Sequence, residues 1–387
     1  MTTRAPGRPR VGGSPARTAA RLGPLPAPLR RVLGTSLLEG LATPHGVSHY
    51  LEAVHPLWRL EGGRALVEKV TPEPGDMVTL TLRPDHGWSG FTAGQHVRLG
   101  VEIDGAVHTR TYSLSGSAHR DDGRYTITVK RKEGGLVSGH LTTNVHPGDV
   151  LHASAATGDV VLPDPRPERL LLLSAGSGIT PLASMLATLA DEDHEGRVTF
   201  LHYARTPGDV PFPDDLRRIA DALPNGEVIV VPTAVGGEGP VSGRFVPGHL
   251  DTLAADHRGA PTFACGPAGF VDAVEEHYEA ARAGGLLSVE RFSPPALRAD
   301  LEPGEGTVRF ADSDLEVADD GTTLLEQAES AGLTPEFGCR MGICHTCTRT
   351  KTAGSVVDLR NGRRSGPGEE NIQICVSAAA GDVILDL

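Results

Sequence analysis

The chain has 387 residues with 36 Lys and Arg against 49 Asp and Glu, and a formal net charge of −13 argues against nucleic acid as its main partner. Its apolar fraction of 39 % is enough for real cores, its length suits two or three domains at roughly 150 residues each, and no run approaches the ~18 apolar residues of a transmembrane helix. Five cysteines, four of them crowded toward the C-terminus, argue against a secreted disulfide framework and fit a reducing, cytoplasmic compartment.

Residues 1–31 hold seven arginines and no acid among Pro, Gly and Ala, a composition that cannot bury enough surface to order itself. An unfolded basic arm is expected there, its charge suited to a peripheral contact with an anionic membrane surface. Its prolines and glycines spoil the amphipathic helix of a transit peptide. Residues 32–61 carry two short apolar stretches suited to small helices that pack on the next domain. From 62 to 166 the pattern turns β: ALVEKV, MVTLTLR, QHVRLGVEI, VHTRTYSLS, YTITVKRK and DVLHASAA alternate with turn signals such as PEPGD and HPGD. Six strands with one helical insert near VSGHLTT read as a small antiparallel β-barrel. From 167 to 292 strand and helix alternate, with RLLLLS, VTFLHYA, EVIVV and PTFACG as strands, so a doubly wound parallel α/β domain is expected. Residues 293–305 have the Pro, Gly and charge of a linker. In 306–387, TVRF and LEVA read as a hairpin and TLLEQAESAG as a helix, a β-grasp pattern leading into the cysteine loop. Residues 303–387 carry 14 acidic against 7 basic residues, an acidic face suited to steering a basic partner.

Cys339, Cys344 and Cys347 are separated by four and two residues, and a further 27 residues separate Cys347 from Cys375. This is the plant-type spacing that holds a 2Fe–2S cluster through four thiolates. Two irons share bridging sulfides, so three thiolates come from one tight loop, eased by Gly338 and Gly342, and the last from an opposing segment. Structural zinc fits less well because its sites pair two short knuckles and Cys375 has no neighbouring cysteine. Disulfides fit poorly because three cysteines within nine residues make poor bridging partners. His345 reads as a loop or docking residue, since four cysteines already complete the ligand set.

Arg110, Thr111, Tyr112 and Ser113 form an RTYS run on a barrel strand. Arg110 offers a planar fork for a diphosphate, Tyr112 a stacking face and Ser113 a hydroxyl. Further on, VKRKEGGLVSGHL brings Lys130, Gly134, Gly135, Val137 and Ser138 to a helix start whose free N–H groups favour phosphate. In AGSGITP, Gly176, Gly178, Thr180 and Pro181 sit between a buried strand and a helix, with Pro181 where a Rossmann fingerprint has its third glycine. At the end of the second strand of that domain stands Arg205 rather than an acid, which favours the extra phosphate of NADPH. Cys265 heads ACGPAGF; a lone cysteine ending a strand is ordinarily packing.

These motifs, in this order, resemble the ferredoxin–NADP reductase superfamily: its R-x-Y-S motif, its flavin phosphate loop and its G-x-G-x-x-P turn. The resemblance spans residues 62–387 and implies a flavin on the barrel, with Ser113 near its reactive nitrogen. Gly134, Gly135 and Ser138 look like the FAD-binding rather than the FMN-binding members. The C-G-P of Cys265, Gly266 and Pro267 is implied to lie beside the nicotinamide and to position it. SVERFSPP looks like the family's end of the nucleotide domain, where Glu290 and Phe292 are explained equally by packing and by a place beside the flavin. The order of parts implies an NAD(P)H-dependent oxidoreductase that passes electrons from NADPH (or NADH) through FAD and a 2Fe–2S cluster to a non-haem iron oxygenase or a membrane-bound acyl desaturase. The loop GCRMGIC and the segment before the barrel look most like reductases that feed acyl desaturases. Two other classes stand beside this: a soluble diaphorase or flavin reductase with a small-molecule acceptor, and a non-enzymatic redox sensor.

Overall fold

The computed structural model describes residues 25–387 except 36–37, 39–41, 43–45, 56, 59, 61, 104, 235–238, 256, 293–305, 339–341, 343–344 and 361. Most of the basic arm, the linker and the two cysteines Cys339 and Cys344 therefore lie outside the described residues. No helix among the described residues is long and apolar enough to cross a membrane.

The chain begins with α1 (Ala27–Leu33) and α2 (Val47–Val54). Residues 27–31, assigned by composition to an unfolded arm, are thus helical. Pro28 is tolerated in the first turn, where no N–H is needed, and Leu25 just ahead is 2 % exposed, so this end of the arm does bury apolar surface. Arg64 pairs with Glu52 at 3.3 Å and ties α2 to the first strand of the barrel.

Six antiparallel strands follow: β1 (Arg64–Glu73), β2 (Met77–Pro84), β3 (His96–Ile103), β4 (Ala106–Ser113), β5 (Tyr125–Lys130) and β6 (Val150–Ala153). Their order is β4-β3-β6-β1-β2-β5, and a bridge between Leu114 and Ile127 brings the edges β4 and β5 together. Alternation puts Val97, Leu99 and Val101 of β3 in the barrel core. α3 (Leu136–Thr143) buries Val137 and Leu141 against it.

The second domain has β7 (Arg169–Ala175), α4 (Ile179–Asp191), β8 (Arg197–Ala204), α5 (Pro213–Ala222), β9 (Gly226–Pro232), α6 (Gly248–Leu253), β10 (Thr262–Gly266), α7 (Ala268–Ala280) and β11 (Leu287–Arg291). The strands are parallel in the order β11-β10-β7-β8-β9, with cores on both faces. The direction of winding reverses between β7 and β10, which opens a crevice at their C-terminal ends. SVER proves to be a fifth strand. The six-residue α6 is too short to show a helical period in the sequence.

Several polar contacts fix this domain to the barrel. Ser184 Oγ donates to the Gly116 carbonyl at 2.7 Å, Ala118 N donates to Thr188 Oγ1 at 3.0 Å, and Phe212 N donates to Glu73 Oε2 at 2.9 Å. At the rim, Glu192 accepts two hydrogen bonds from Arg166, at 2.7 and 2.8 Å, and lies 2.7 Å from His119 Nε2.

The C-terminal domain is a five-stranded mixed sheet, β13-β12-β18-β14-β16, with a separate β15–β17 pair: β12 (Thr307–Phe310), β13 (Leu315–Ala318), β14 (Thr348–Ala353), β15 (Val356–Asp358), β16 (Glu370–Gln373), β17 (Ser377–Ala379) and β18 (Val383–Leu385). α8 (Leu324–Ser330) starts with a Thr323–Glu326 capping box and buries Leu324, Leu325 and Ala328, which completes the β-grasp.

Hydrogen bonds from Arg166, helped by His119, hold the Glu192 carboxyl at about 2, below its ordinary 4.5. A carboxyl depressed in the folded state stabilises the fold above its unfolded pKa and loses that contribution as pH falls toward the folded one. Glu192→Gln should therefore be less stable than the parent near neutrality. The gap between their urea midpoints should close as pH falls from 4.5 toward 2, and a gap that holds constant over that window would refute the assignment.

Candidate active site

The RTYS run lies at the end of β4, an edge strand. Tyr112 is opposite Val97 and Arg110 opposite Leu99, while Thr111 pairs with Arg98 and Ser113 with His96. Arg110 donates to the neighbouring Thr109 carbonyl at 2.7 Å, and Thr111 Oγ1 is buried without a hydrogen-bond partner among the described residues. Burial pushes the Tyr112 phenol up, so it stays neutral. α3 starts at Gly135 with no side chain capping it. Gly134, at φ +67°, has open space where a Cβ would project, whereas a Cβ on Gly135 would lie 2.5 Å from Ser138 Oγ. An orphaned hydroxyl, an uncapped helix start and a glycine cradle suit the ring and phosphates of a flavin. Lys130, read with the flavin loop, lines a cleft shared with the second domain instead.

The crevice between β7 and β10 holds the second set. Gly176 takes φ +54°, and a Cβ on Gly178 would lie 2.1 Å from the Cys265 carbonyl oxygen, so only glycine lets the turn approach β10. Thr180 spends its hydroxyl on the Ser177 carbonyl at 3.1 Å, and Pro181 sits in the first turn of α4. Gly266 packs against Phe270, and Pro267 leads into α7. Cys265 is fully buried and paired in register with Glu290. Burial, then the Glu290 carboxylate, pushes its thiol well up, which keeps it protonated.

Glu290 joins the two sets. Its oxygens lie 3.4 and 3.5 Å from Ser113 Oγ, and Oε1 is 3.6 Å from His96 Nδ1. Ser113, His96 and Glu290 are all buried at this junction beside Cys265. His96 is absent from the sequence reading, yet a signal existed. The sequence has Asp-Gly between two β-like runs, a hairpin signal, and the observed pairing of Ile103 with Ala106 carries back to place 96 opposite 113. Phe292 packs against the core of the second domain.

A cleft of about 690 Å³ opens between the barrel and the second domain, lined by Lys130, Gly176, Tyr203, Arg205, Arg244 and Phe270 among others. Arg205 is 82 % exposed and lies 3.7 Å from Asp209. Tyr203 is 5.4 Å from Phe270 and stacks on His249 at 5.9 Å, giving the cleft an aromatic floor under a cationic rim. His202, bonded to Ser174 Oγ at 2.7 Å, is pushed down to about 3 by burial first and Lys130 second, so it stays neutral. Arg244 lies on the loop after β9, and nothing in VSGRF marks it as different from a solvated charge.

Of the four C-terminal cysteines, Cys347 and Cys375 are described, both buried, at the start of β14 and just past β16. Ile374 N donates to the Cys347 carbonyl at 3.4 Å, which holds the two segments together. Arg360, also missed in the sequence, clasps the loop: it donates to the Gly342 carbonyl at 2.7 Å while Asp358 grips it at 2.7 and 3.0 Å. The Asp358 hydrogen bond first, then the Cys375 and Cys347 sulfurs, reinforce its charge. Gly342, at φ +69°, leaves room for that guanidinium, which a Cβ would meet at 2.6 Å. Thr348 Oγ1 is buried beside Cys347 with no partner among the described residues. A fixed cation and an orphan hydroxyl next to two buried thiols fit an anionic iron–sulfur cluster. His345 is exposed at φ +56°.

Arg360→Ala should release iron to a chelator about tenfold faster than the parent, with Arg360→Lys between them and far-ultraviolet circular dichroism unchanged. Equal release rates would show that Arg360 does no more than cover the loop.

Known proteins with this arrangement are numerous. The oxidoreductase FAD-binding domain family matches residues 67–161, the oxidoreductase NAD-binding domain family 172–276, and the 2Fe-2S iron-sulfur cluster binding domain family 309–380. An NADPH oxidoreductase of Mycobacterium tuberculosis is 38 % identical over 352 residues, 90 % of each chain. A glycine betaine monooxygenase reductase subunit of Pseudomonas aeruginosa is 31 % identical over 360 residues, 84 % of this chain and 95 % of that protein. The fold is that of phthalate dioxygenase reductase, a modular structure for electron transfer from pyridine nucleotides to [2Fe-2S], with a TM-score of 0.57 and 24 % identity over 84 % of this chain and 97 % of that one. The protein is an NAD(P)H-dependent oxidoreductase that takes FAD and a 2Fe–2S cluster. The chain belongs to the ferredoxin–NADP reductase superfamily, in the branch whose flavin and nucleotide domains are followed by a C-terminal 2Fe–2S ferredoxin domain.

Proposed function

We propose that the protein carries electrons from NADPH, through FAD and the cluster of Cys339, Cys344, Cys347 and Cys375, to an oxygenase that depends on this reductase. The observation that carries the reading is the meeting of Ser113 with Glu290 and Cys265, which sets the flavin strand against the crevice of the nucleotide domain. Bound FAD supplies the conversion from two-electron to one-electron transfer. The chain's own residues do the rest. Arg110, Thr111, Tyr112 and Ser113 hold the flavin with Gly134, Gly135, Val137 and Ser138. Gly176, Gly178, Thr180 and Pro181 receive the nucleotide phosphates, and Gly266 and Pro267 shape the crevice floor. Cys265 lines the nicotinamide face and stays protonated, while Glu290 and His96 orient the Ser113 hydroxyl. Lys130, Arg205 and Arg244 give the cleft three cations and favour the 2′-phosphate of NADPH.

The similarity to reductase subunits of monooxygenases supports an oxygenase acceptor. A membrane-bound acyl desaturase is the second reading, favoured by the basic N-terminal arm and by exposed Leu29, Val32, Tyr50 and Val54 on the helices that follow it. Reconstituted desaturation that requires this protein would favour the desaturase, and equal activity with an unrelated oxygenase would remove that specificity.

Anaerobic addition of NADPH to the purified protein should bleach overlapping flavin and iron–sulfur bands. Flavin bands without cluster bands would overturn the electron path. Arg205→Ala should raise KM for NADPH about tenfold to a hundredfold, as loss of a charge-assisted phosphate contact does, and leave KM for NADH little changed. An equal rise for both nucleotides would take the 2′-phosphate away from Arg205.

A further inference from the structure

The cluster loop touches the barrel at a defined point. Arg98 Nη1, on β3, donates to Thr346 Oγ1 at 2.9 Å. Between described residues this is the one side-chain hydrogen bond joining 306–387 to the rest of the chain, and no backbone hydrogen bond joins them. The nucleotide domain, by contrast, meets the barrel through the side chains of Ser184, Thr188, Glu73, Glu192 and Glu290.

Both ends of the contact are held firmly. Arg98 is opposite Thr111, so the two side chains share a face of the hairpin, and Val97 and Leu99 on either side point into the barrel core. The Arg98 N–H donates to Ser154 Oγ at 2.9 Å, and its carbonyl accepts from Ser154 N at 3.0 Å. Thr346 stands between His345 and the buried Cys347, in a turn closed by Thr348 N donating to the His345 carbonyl at 3.1 Å. His345 holds φ +56°, in the left-handed region that histidine enters more readily than most side chains. A core strand thus offers a cation, and a turn beside a cluster cysteine offers a hydroxyl.

We propose that Arg98 and Thr346 form the latch that docks the cluster loop on the flavin strand, so that their contact governs electron passage from flavin to cluster and leaves hydride transfer alone. This rests on the reading of the chain as a flavin-to-cluster reductase. Bound FAD would supply electrons singly, with its proton passing to water, and the cluster held by the four cysteines would accept them, while Arg98 and Thr346 would set how closely the loop is seated. Electron tunnelling falls steeply with separation, so a loop that is not seated passes electrons slowly. The contact lies beside Cys347, so the same edge of the loop is the one an external acceptor approaches.

The test uses the full-length holoprotein with Arg98→Ala, Thr346→Val, the double variant and Thr346→Ser. In anaerobic stopped flow with NADPH, flavin bleaching should stay within about twofold of the parent. Cluster reduction should slow about tenfold or more in both single variants, with the double no slower than either, since the two act as one unit. Thr346→Ser keeps the hydroxyl and should keep the parental rate. Small-angle X-ray scattering of the oxidised proteins, which needs no turnover, should show a broader distance distribution in the slowed variants only. An unchanged cluster rate, a flavin rate that falls in step with it, or a Thr346→Ser variant as slow as Thr346→Val would each overturn the latch. A parent whose cluster NADPH never reduces would instead refute the proposed electron path, and scattering would still decide the docking.

Discussion

The pairing of β3 with β4 is the constraint on which the redox chain depends. One two-stranded hairpin carries the flavin motif, meets the nucleotide domain through His96 and Ser113, and meets the ferredoxin domain through Arg98. A slip of one residue would move every side chain to the opposite face. Arg98 and Ser113 would then point into the barrel and Leu99 out of it. The register is secured from both sides, by the pairing of Ile103 with Ala106 at the end of the hairpin and by the buried row Val97, Leu99 and Val101. The apolar alternation that stabilises the barrel is therefore the same pattern that aims its functional groups.

The two joints of the molecule differ in kind. Between barrel and nucleotide domain, backbone approaches side chain closely: a Cβ on Gly94 would lie 2.6 Å from Met185 Cε. Together with the contacts of Ser184, Thr188 and Glu192, this leaves little room to shift. Hydride transfer requires two rings held within contact distance, and a loss of about 1 Å in such alignment costs on the order of a hundredfold in rate. The ferredoxin joint has one described hydrogen bond, a contribution of about 1.5–3 kcal/mol where one partner is charged. The closely fitted joint is thus the one at which two rings must meet.

Much of this was legible in the sequence because the signals were local. The strand–turn–helix around Gly176 and Gly178, the RTYS run and the first three cysteines of the cluster pattern each sit within a dozen residues. The parts that were not legible are those whose meaning comes from a distant partner. Glu290 acquires a role only when β11 lies beside β10 and brings it to Ser113. Arg360 looks like a solvated charge in DLRNG until the fold turns it onto Gly342. Lys351 reads as an outward strand residue in TKTAG, yet it is fully buried, with Nζ donating to the carbonyls of Gly366 and Gly368. Composition misled at Leu25 and α1, where arginine and proline content concealed a residue that packs.

Charge placement gives the ferredoxin domain its direction. Residues 303–387 are acidic overall, and the barrel answers with Arg98 at the point of contact. The same excess of carboxylates attracts any basic acceptor from a distance, over about 10 Å at ordinary salt. Thr346 adjoins Cys347, so the edge of the loop that Arg98 holds is also an edge nearest the cluster. An acceptor that needs the shortest path to the cluster must reach this edge, and it competes with Arg98 for it. The acidity of the domain therefore suits an acceptor that brings cations to the edge Arg98 holds, where those cations would take the place of the guanidinium.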